Sequence, residues 1–333
     1  MSETVLLEAT SLVKHFPVRG TAFRGGHGEV VHAVDGVSLE VRRGETLGIV
    51  GESGCGKSTL GRMLVRLHDP TTGTVRFDGT DITHLSRREL RPYRRQLQMI
   101  FQDPYASLNP RKRVGQILED PFRIHGTLAG GEMRRRVQEL LEVVGLSPDH
   151  VNRYPHEFSG GQRQRIGVAR ALALAPKLIV ADEPVSALDV SIQAQVINLL
   201  DDLQDEFSLT YVFIAHDLGV VHHVSDRIAV MYLGVVVEVG PSDGLFLEPI
   251  HPYTEALLSA IPGIEADDEV RRERIVLEGE VPSPVDPPAG CRFHPRCRYA
   301  TEICTVERPP LVDHGNGRSA ACHHPLDAQG GPR

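Results

Sequence analysis

Residues 51–59 have the types and spacing of a phosphate-binding loop. Their sequence fits the pattern G-x-x-x-x-G-K-[ST], between an apolar run at 46–50 and apolar residues at helical spacing. Glycines let the backbone approach a polyphosphate and point N–H groups at it, and the positive end of the following helix dipole faces the same anion. Lys57 is suited to reach the β- and γ-phosphates, and Ser58 to ligate Mg²⁺. The predicted nucleotide ligands are Gly51, Ser53, Gly54, Cys55, Gly56, Lys57, Ser58 and Thr59. A glycine-rich turn without a ligand is the alternative.

Polar side chains follow three further apolar runs. Gln102 follows the first, Asp182 and Glu183 follow the second, and His216 follows the third. The carboxyl ends of buried strands are where open α/β sheets bind ligands. At such a position Asp182 is suited to hold Mg²⁺, and the adjacent Glu183 to polarise an attacking water as general base. His216 is a candidate contact of the γ-phosphate, although an isolated histidine is more often structural.

A second helix start in the chain also suits an anion. Ser159 and Gln162 have the spacing of a capping box, which predicts a helix that runs to about residue 175. Between them, Gly160 and Gly161 are unfavourable for a helix. These glycines are explained if another backbone or a phosphate group comes close to the helix start.

Two strand-rich segments, 4–16 and 29–43, precede the phosphate-binding loop. The glycine-rich residues 19–28 between them predict a hairpin tip. Phe16 lies at the end of the first segment and would suit an adenine ring, because stacking needs only a flat apolar face. A core or surface aromatic is the alternative at this position.

The residues between 109 and 155 have a helical pattern. An apolar stripe, followed by Gly145 as the predicted helix end, indicates an all-helical insertion between two halves of an α/β core. The stripe consists of Met133, Val137, Leu140, Leu141 and Val144.

The composition is that of an ordinary globular protein. The chain has 333 residues, of which 41% are apolar and 24% charged, and its net charge of −8 disfavours a non-specific nucleic-acid binder. The N-terminus carries Glu3 and Glu8 where a signal peptide would have an apolar core. The longest apolar run, 228–237, is about half of what a membrane-spanning helix requires. We therefore expect a protein of the cytosol.

Six motifs occur along the sequence in the same order as in ATP-binding cassette (ABC) ATPases, a family that the chain resembles. They are the phosphate loop at 51–59, the Q-loop residue Gln102, the signature at 159–162, the Walker B strand at 178–183, the D-loop at 186–189 with Asp189, and the switch histidine His216. Phe16 falls where the family keeps its adenine-stacking aromatic. The resemblance covers most of residues 1–240. It implies an α/β fold: a phosphate-loop (RecA-like) core, an antiparallel β subdomain and an α-helical insertion.

The resemblance also implies the chemistry, which is ATP hydrolysis with Mg²⁺. Mg²⁺ would be held through Ser58, Gln102 and Asp182. Glu183 would be the general base, and Gln102 and His216 would be further catalytic residues near the γ-phosphate. ATP would be sandwiched between the phosphate loop of one subunit and the signature of another. The signature Ser159, Gly160, Gly161 and Gln162 would thus complete the partner's site.

Three stretches, 98–111, 248–254 and 256–262, are similar to the oligopeptide/dipeptide (peptide/nickel) importer subfamily. The form Pro-Tyr-Ala-Ser-Leu-Asn-Pro at 104–110 is more similar to the second (F-type) ATPase of such importers. This implies a peripheral subunit on the cytoplasmic face of the cell membrane. Its partners would be a second ABC ATPase in a heterodimer, two permeases and an extracytoplasmic substrate-binding protein. An importer of nickel or another small solute, or a non-transport ABC ATPase, is the alternative.

After Pro262 the composition changes to charged and proline-rich segments. We predict an ABC nucleotide-binding domain at 1–262, with a helical subdomain at about 104–160, and a small loop-rich C-terminal extension at 263–333.

The extension contains Cys291, Cys297, Cys304 and Cys322, which suggest a metal site with thiolate ligands. The spacings lack the close C-x₂₋₄-C pair of structural zinc sites. Four thiolates from one loop-rich segment suit an iron–sulfur cluster. Some members of the subfamily hold a [4Fe-4S] cluster here; zinc and unligated thiols are the alternatives.

Overall fold

The computed structural model describes residues 4–18, 29–261, 274–327 and 331–332. The predicted hairpin tip at 19–28 and most of the charged stretch after Pro262 lie outside the described residues. The chain divides into two units. One comprises residues 1–4, 42–45 and 84–214, and the other comprises 5–41, 46–83 and 215–333. We call them the helical unit and the loop unit.

The described residues form twelve strands. In chain order they are β1 (Val5–Pro17), β2 (Val30–Arg42), β3 (Thr46–Val50), β4 (Thr72–Phe77), β5 (Thr80–Asp81), β6 (Leu97–Ile100), β7 (Leu178–Asp182), β8 (Thr210–Ile214), β9 (Arg227–Tyr232), β10 (Val235–Pro241), β11 (Val312–Asp313) and β12 (Ser319–Ala320).

The helices of the described residues are α1 (Lys57–Leu64), α2 (Arg91–Gln96), α3 (Pro104–Ser107), α4 (Val114–His125), α5 (Gly130–Val143), α6 (Gly160–Leu172), α7 (Val190–Phe207), α8 (Leu218–Val224), α9 (Ser242–Leu247), α10 (Pro252–Ser259) and α11 (Glu302–Val306). Short 3₁₀ turns lie at Pro148–Asn152, Pro155–Glu157 and His294–Arg296. None of these helices has both the length and the apolar character needed to cross a membrane.

The loop unit contains an antiparallel sheet in the order β2-β1-β4-β5. It also contains β3, which pairs in parallel with β9, and β9 continues antiparallel into β10. The apolar run at 228–237 is this β9–β10 hairpin. At the far edge the C-terminal segment adds β12 and β11, and Glu238 on β10 lies opposite Ala320. The C-terminal segment therefore extends a sheet that the phosphate-loop strand β3 also joins.

The helical unit contains the parallel strands β8, β7 and β6, side by side in that order. All five residues of β7 and of β8 are buried, which explains why these strands are continuous apolar runs in the sequence. The stripe on α5 is buried as predicted, from Met133 to Leu141. The helix ends at Val143, and Gly145 follows two residues later with a left-handed φ of 71°.

Helix α1 is shorter than its sequence pattern indicates. The spacing of apolar residues extends to Leu67, but the helix ends at Leu64 and the Leu67 side chain is exposed. Arg66 has a left-handed φ of 56°, and its guanidinium donates to the carbonyl of Ile82 at 2.9 Å. The local backbone turn therefore ends the helix one turn early.

A buried carboxylate organises the segment that leads into α10. The Glu238 oxygens accept hydrogen bonds from the backbone N–H groups of Ile250 at 2.8 Å and His251 at 2.9 Å. Burial raises the pKa of Glu238 to about 7, although these hydrogen bonds lower it. His251 is fully buried as well, and burial lowers the pKa of its imidazole to about 3.

Because the pKa of Glu238 is raised in the folded state, its contribution to stability is fully present below about pH 4.5 and is lost as pH rises towards 7. We expect this group alone to lower the free energy of unfolding by about 3 kcal/mol across that window. Urea unfolding of wild-type protein and of Glu238→Gln between pH 5 and 8 measures the difference in slope. The exposed Glu248→Gln is the matched control and should keep the wild-type slope. An unchanged slope in Glu238→Gln would contradict the assignment.

Candidate nucleotide site

The phosphate-binding loop runs from the end of β3 into α1, as the sequence predicts. Gly51, Gly54 and Gly56 all have positive φ angles, of 153°, 79° and 104°. A Cβ at Gly51 would clash with the carbonyl oxygen of Met231, and a Cβ at Gly56 with that of Ala33. Gly54 faces open space, and with Ser53 it is exposed. The loop is therefore a cradle of bare backbone, packed tightly on one side and open on the other, and this fits a bound polyphosphate.

The ammonium group of Lys57 lies inside this loop. Its Nζ donates to the carbonyl oxygens of Gly51 at 2.7 Å and Glu52 at 3.0 Å, and it lies 3.9 Å from the Cys55 sulfur. The side chain is buried although it is charged. Burial raises the pKa of the Cys55 thiol, which therefore stays protonated near neutral pH. Lys57 is the positively charged side chain of the loop, and it is the one suited to bind phosphate oxygens.

Glu52 holds the loop to the rest of the loop unit. Its backbone N–H donates to the Tyr253 hydroxyl at 2.9 Å, and its carboxylate accepts from Arg296 Nη1 at 2.8 Å. Tyr253 belongs to α10, and Arg296 belongs to the cysteine-containing tail. Sequence reasoning did not find either contact. The His-Pro-Tyr stretch at 251–253 was recognised only as a family motif. No local pattern predicts that Tyr253 contacts the loop.

Phe16 and His216 belong to the same unit as the loop. Phe16 is half-buried, with Lys14 Nζ 5.1 Å from its ring centre and the His68 ring edge-on at 5.8 Å. His216 is exposed and follows Ala215, whose N–H donates to the carbonyl of Ile49 at 3.1 Å. Ile49 comes two residues before Gly51, so the backbone places His216 beside the entry to the phosphate loop.

In the helical unit, Gln102 and Glu183 lie in direct contact. Gln102 Nε2 donates to Glu183 Oε2 at 2.6 Å, although 81 residues separate the two in sequence. Asp182 is the last residue of β7 and is fully buried. Glu183 has a left-handed φ of 45°, which is unfavourable for a residue with a side chain. Its N–H donates to Ile214 at 2.9 Å, which helps to hold this conformation.

The helix at 160–172 begins with the predicted capping box. The Gln162 N–H donates to Ser159 Oγ at 3.3 Å, and the Ser159 N–H donates to Gln162 Oε1 at 3.1 Å. A Cβ at Gly161 would clash with the side chain of Ile192 on α7, whereas a Cβ at Gly160 would lie 3.3 Å from Leu188. Packing against α7 therefore explains Gly161 without a phosphate. Asp189 is exposed at the start of α7.

The four tail cysteines belong to the loop unit, and all are free thiols. Burial is the main cause that raises the pKa of Cys297 to about 11 and that of Cys322 to about 12. Cys291 and Cys304 add to the rise at both sites. The His324 N–H donates to the Cys322 sulfur at 3.3 Å. Backbone N–H groups also hydrogen-bond the sulfurs of Cys291 and Cys297. Cys304 is buried and the other three cysteines are half-buried. A cysteine ligates metal as its thiolate, so a bound metal would have to displace these thiol protons.

Another group of potential ligands lies near the tail. Among the described residues, one ring nitrogen each of His15 and His32 and a carboxylate oxygen of Asp35 lie within 4.8 Å of one another. No three of the cysteine sulfurs form such a group. Asp35 forms ion pairs with Arg292 and with Arg308, the latter at 3.5 Å. We therefore assign Asp35 to anchoring the tail.

Family models match two parts of the chain. The model described as ABC transporter matches residues 34–186, and that described as oligopeptide/dipeptide transporter, C-terminal region, matches residues 237–304. The first match includes the phosphate loop, the signature and Glu183. The second begins in β10 and includes Tyr253, Arg296 and three of the four tail cysteines.

Curated relatives are similar over nearly the whole chain. The oligopeptide transport ATP-binding protein AppF of Bacillus subtilis is 55% identical, with 97% of this chain and 98% of the relative covered. The dipeptide transport ATP-binding protein DppF of Escherichia coli is 52% identical, with 95% and 93% covered. Both names end in F, in agreement with the predicted F-type.

Solved structures with the same fold are ATP-binding cassettes. A dimer of the cassette MJ0796 in a post-hydrolysis state, bound to ADP and phosphate, has a TM-score of 0.64 and 31% identity. The match covers 71% of this chain and 99% of that one. The cassette CbiO1 from Clostridium perfringens has a TM-score of 0.62 and 28% identity, over 73% and 91% of the two chains. The predicted fold class is confirmed.

Proposed function

This chain belongs to the ABC transporter family of ATP-binding proteins, and on that premise we propose that it powers the import of dipeptides or oligopeptides. The family makes it an ATPase of the ABC type. The observation that supports peptide cargo is similarity over almost the full length to relatives named for oligopeptide and dipeptide transport. The match of residues 237–304 to the oligopeptide/dipeptide transporter C-terminal region agrees with it.

The proposed roles of the residues follow from their chemistry. Lys57 and the loop backbone bind the phosphates of ATP, Phe16 stacks on its adenine, and His216 contacts its γ-phosphate. Mg²⁺, held through Ser58, Gln102 and Asp182, would neutralise charge on the phosphates when bound. The donor set fits, because hydroxyl, amide and carboxylate oxygens are the ligands that Mg²⁺ prefers.

Glu183 is the proposed general base. Its carboxylate would take a proton from the attacking water, and the 2.6 Å hydrogen bond from Gln102 orients that carboxylate. The strained φ of Glu183 supports this role, because such backbone conformations cluster at functional sites.

The proposed assembly is a transporter with two ATPases. Ser159, Gly160, Gly161 and Gln162 would face the ATP of a second ABC ATPase, with Asp189 near the same interface. The dimer of a related cassette supports such a partner. Two permeases and an extracytoplasmic binding protein would complete the importer, with this chain on the cytoplasmic side of the membrane. Residues 1–262 would form the nucleotide-binding domain, with its helical subdomain at about 104–160, and 263–333 the extension.

Replacing Glu183 by Gln should leave ATP binding intact and lower turnover by at least about 100-fold, because the general base is lost while the phosphate ligands remain. Lys57→Ala is the counterpart and should weaken nucleotide binding itself. Equilibrium binding of a fluorescent ATP analogue and phosphate release, measured on both variants, separate the two effects. Turnover at the wild-type rate in Glu183→Gln would exclude Glu183 as the base.

Affinity purification of the chain from gently solubilised membranes tests the importer. We expect two permeases and a second ABC ATPase to co-purify, because the proposed importer holds the cassette in that assembly. The co-purified binding protein, once identified, can be tested with peptides and with Ni²⁺ to separate the two kinds of cargo. Recovery of the chain without any membrane protein would favour a non-transport ABC ATPase.

We further propose that Cys291, Cys297, Cys304 and Cys322 hold a [4Fe-4S] cluster. One zinc ion bound tetrahedrally would bring its sulfurs to roughly 3.8 Å from one another, given Zn–S bonds of about 2.3 Å. No three of these described sulfurs lie within 4.8 Å of one another. Wider spacing suits a cluster, because each thiolate then binds a different iron.

Anaerobically purified protein should contain about four irons and about four acid-labile sulfides per chain. Cys297→Ser and Cys322→Ser should lose most of both, because a ligand is removed. Cys55→Ser is the matched control, since Cys55 belongs to the phosphate loop, and it should keep both. About one zinc per chain instead would favour the zinc alternative, and neither metal above background would leave unligated thiols.

A further inference from the structure

The tail contacts the phosphate loop through a partly buried ion pair. Arg296 lies directly before Cys297, at the end of the 3₁₀ turn His294–Arg296. Its Nη1 donates to Glu52 Oε2 at 2.8 Å, and the Arg296 side chain is only 8% exposed and that of Glu52 25% exposed. Glu52 is the second residue of the loop. A residue of the C-terminal tail thus contacts the loop itself, across 244 positions of sequence.

The contact is part of a fixed arrangement. Tyr232, Tyr253 and Phe293 pack with ring centres 4.8 to 5.3 Å apart. Phe293 comes from the tail, three residues before Arg296, and Tyr253 accepts the Glu52 N–H at 2.9 Å. The aromatic cluster therefore positions both groups that hold Glu52.

The charges explain why the pair matters for an anionic ligand. The Glu52 carbonyl oxygen accepts from Lys57 Nζ at 3.0 Å, so the carboxylate and the phosphate-binding ammonium belong to neighbouring parts of one loop. Without Arg296, a half-buried carboxylate would lack its charge partner beside a loop built to bind a polyphosphate. It would repel that ligand and attract Lys57.

We propose that Arg296 is a positioning residue of the nucleotide site, through which the C-terminal tail holds the phosphate loop in its ATP-binding conformation. The proposal rests on the proposed ATP binding of the loop. It is independent of whether the cysteines hold a metal. It gives the tail a role in the affinity for ATP.

The test is the affinity of the full-length chain for a fluorescent ATP analogue. Arg296→Gln should weaken binding on the order of tenfold, within the range of coupling between neighbouring charged groups. Arg296→Lys should lose less, because it keeps the charge. Arg298→Gln is the matched control: Arg298 lies on the same segment and pairs with Glu255 at 3.0 Å, away from the loop. It should bind like wild type.

A double-mutant cycle with Glu52→Gln distinguishes positioning from general damage to the fold. The double variant Glu52→Gln, Arg296→Gln should bind more tightly than Arg296→Gln alone, because no unpaired carboxylate remains. Thermal unfolding checks that each variant is folded, and the cycle can start from Arg296→Lys if Arg296→Gln is not. Wild-type affinity in folded Arg296→Gln, or strictly additive losses in the cycle, would overturn the proposal. Absence of ATP binding in wild type would instead refute the proposed function.

Discussion

A loop that binds phosphate with its backbone must be held in shape by its neighbours. The glycines that let it approach an anion leave it few side chains with which to pack. Here the carbonyl groups of Met231 and Ala33 close against Gly51 and Gly56, so that β9 and β2 define the outer wall of the loop. On the inner side of the loop, the Lys57 ammonium donates hydrogen bonds to two loop carbonyl oxygens. These contacts hold the loop backbone in one conformation.

The carboxylate of Glu183, the proposed general base, depends on the same kind of external support. Glu183 has a backbone conformation that costs about 1 kcal/mol or more, so surrounding contacts have to determine it. Its N–H is held by the end of β8, and its side chain is held by Gln102 after β6. Since β6, β7 and β8 are adjacent parallel strands, their carboxyl ends bring these groups together by topology alone. The sheet thus gives the proposed general base one defined orientation.

Features that depend on residues close in sequence could be predicted from the sequence, whereas most contacts between distant residues could not. The loop, the capping box at Ser159 and the buried strands follow from short patterns, because each depends on residues a few positions apart. The contact between Gln102 and Glu183 could be anticipated only from the rule that the carboxyl ends of parallel strands lie at one edge of the sheet. By contrast, Gly161 is explained by Ile192 on another helix, with which a Cβ at this position would clash. The ion pair of Glu52 with Arg296 joins residues 244 positions apart in the sequence. No periodicity encodes such contacts. The left-handed turn at Arg66, which ends α1 early, likewise has no signal in the apolar spacing.

The tail shows how a segment with little regular structure is kept in place. Its described part has one 3₁₀ turn, one five-residue helix and two strands of two residues, so backbone hydrogen bonds alone stabilise it poorly. Exposed ion pairs such as that of Arg298 contribute at most about 1 kcal/mol each. The buried arginines Arg292 and Arg296 are different, because removing one partner leaves a desolvated charge. Both lie between Cys291 and Cys297. The positions of these two cysteines therefore depend on how the tail is anchored to Asp35 and Glu52, and the reverse also holds. This is so whether or not a metal is bound.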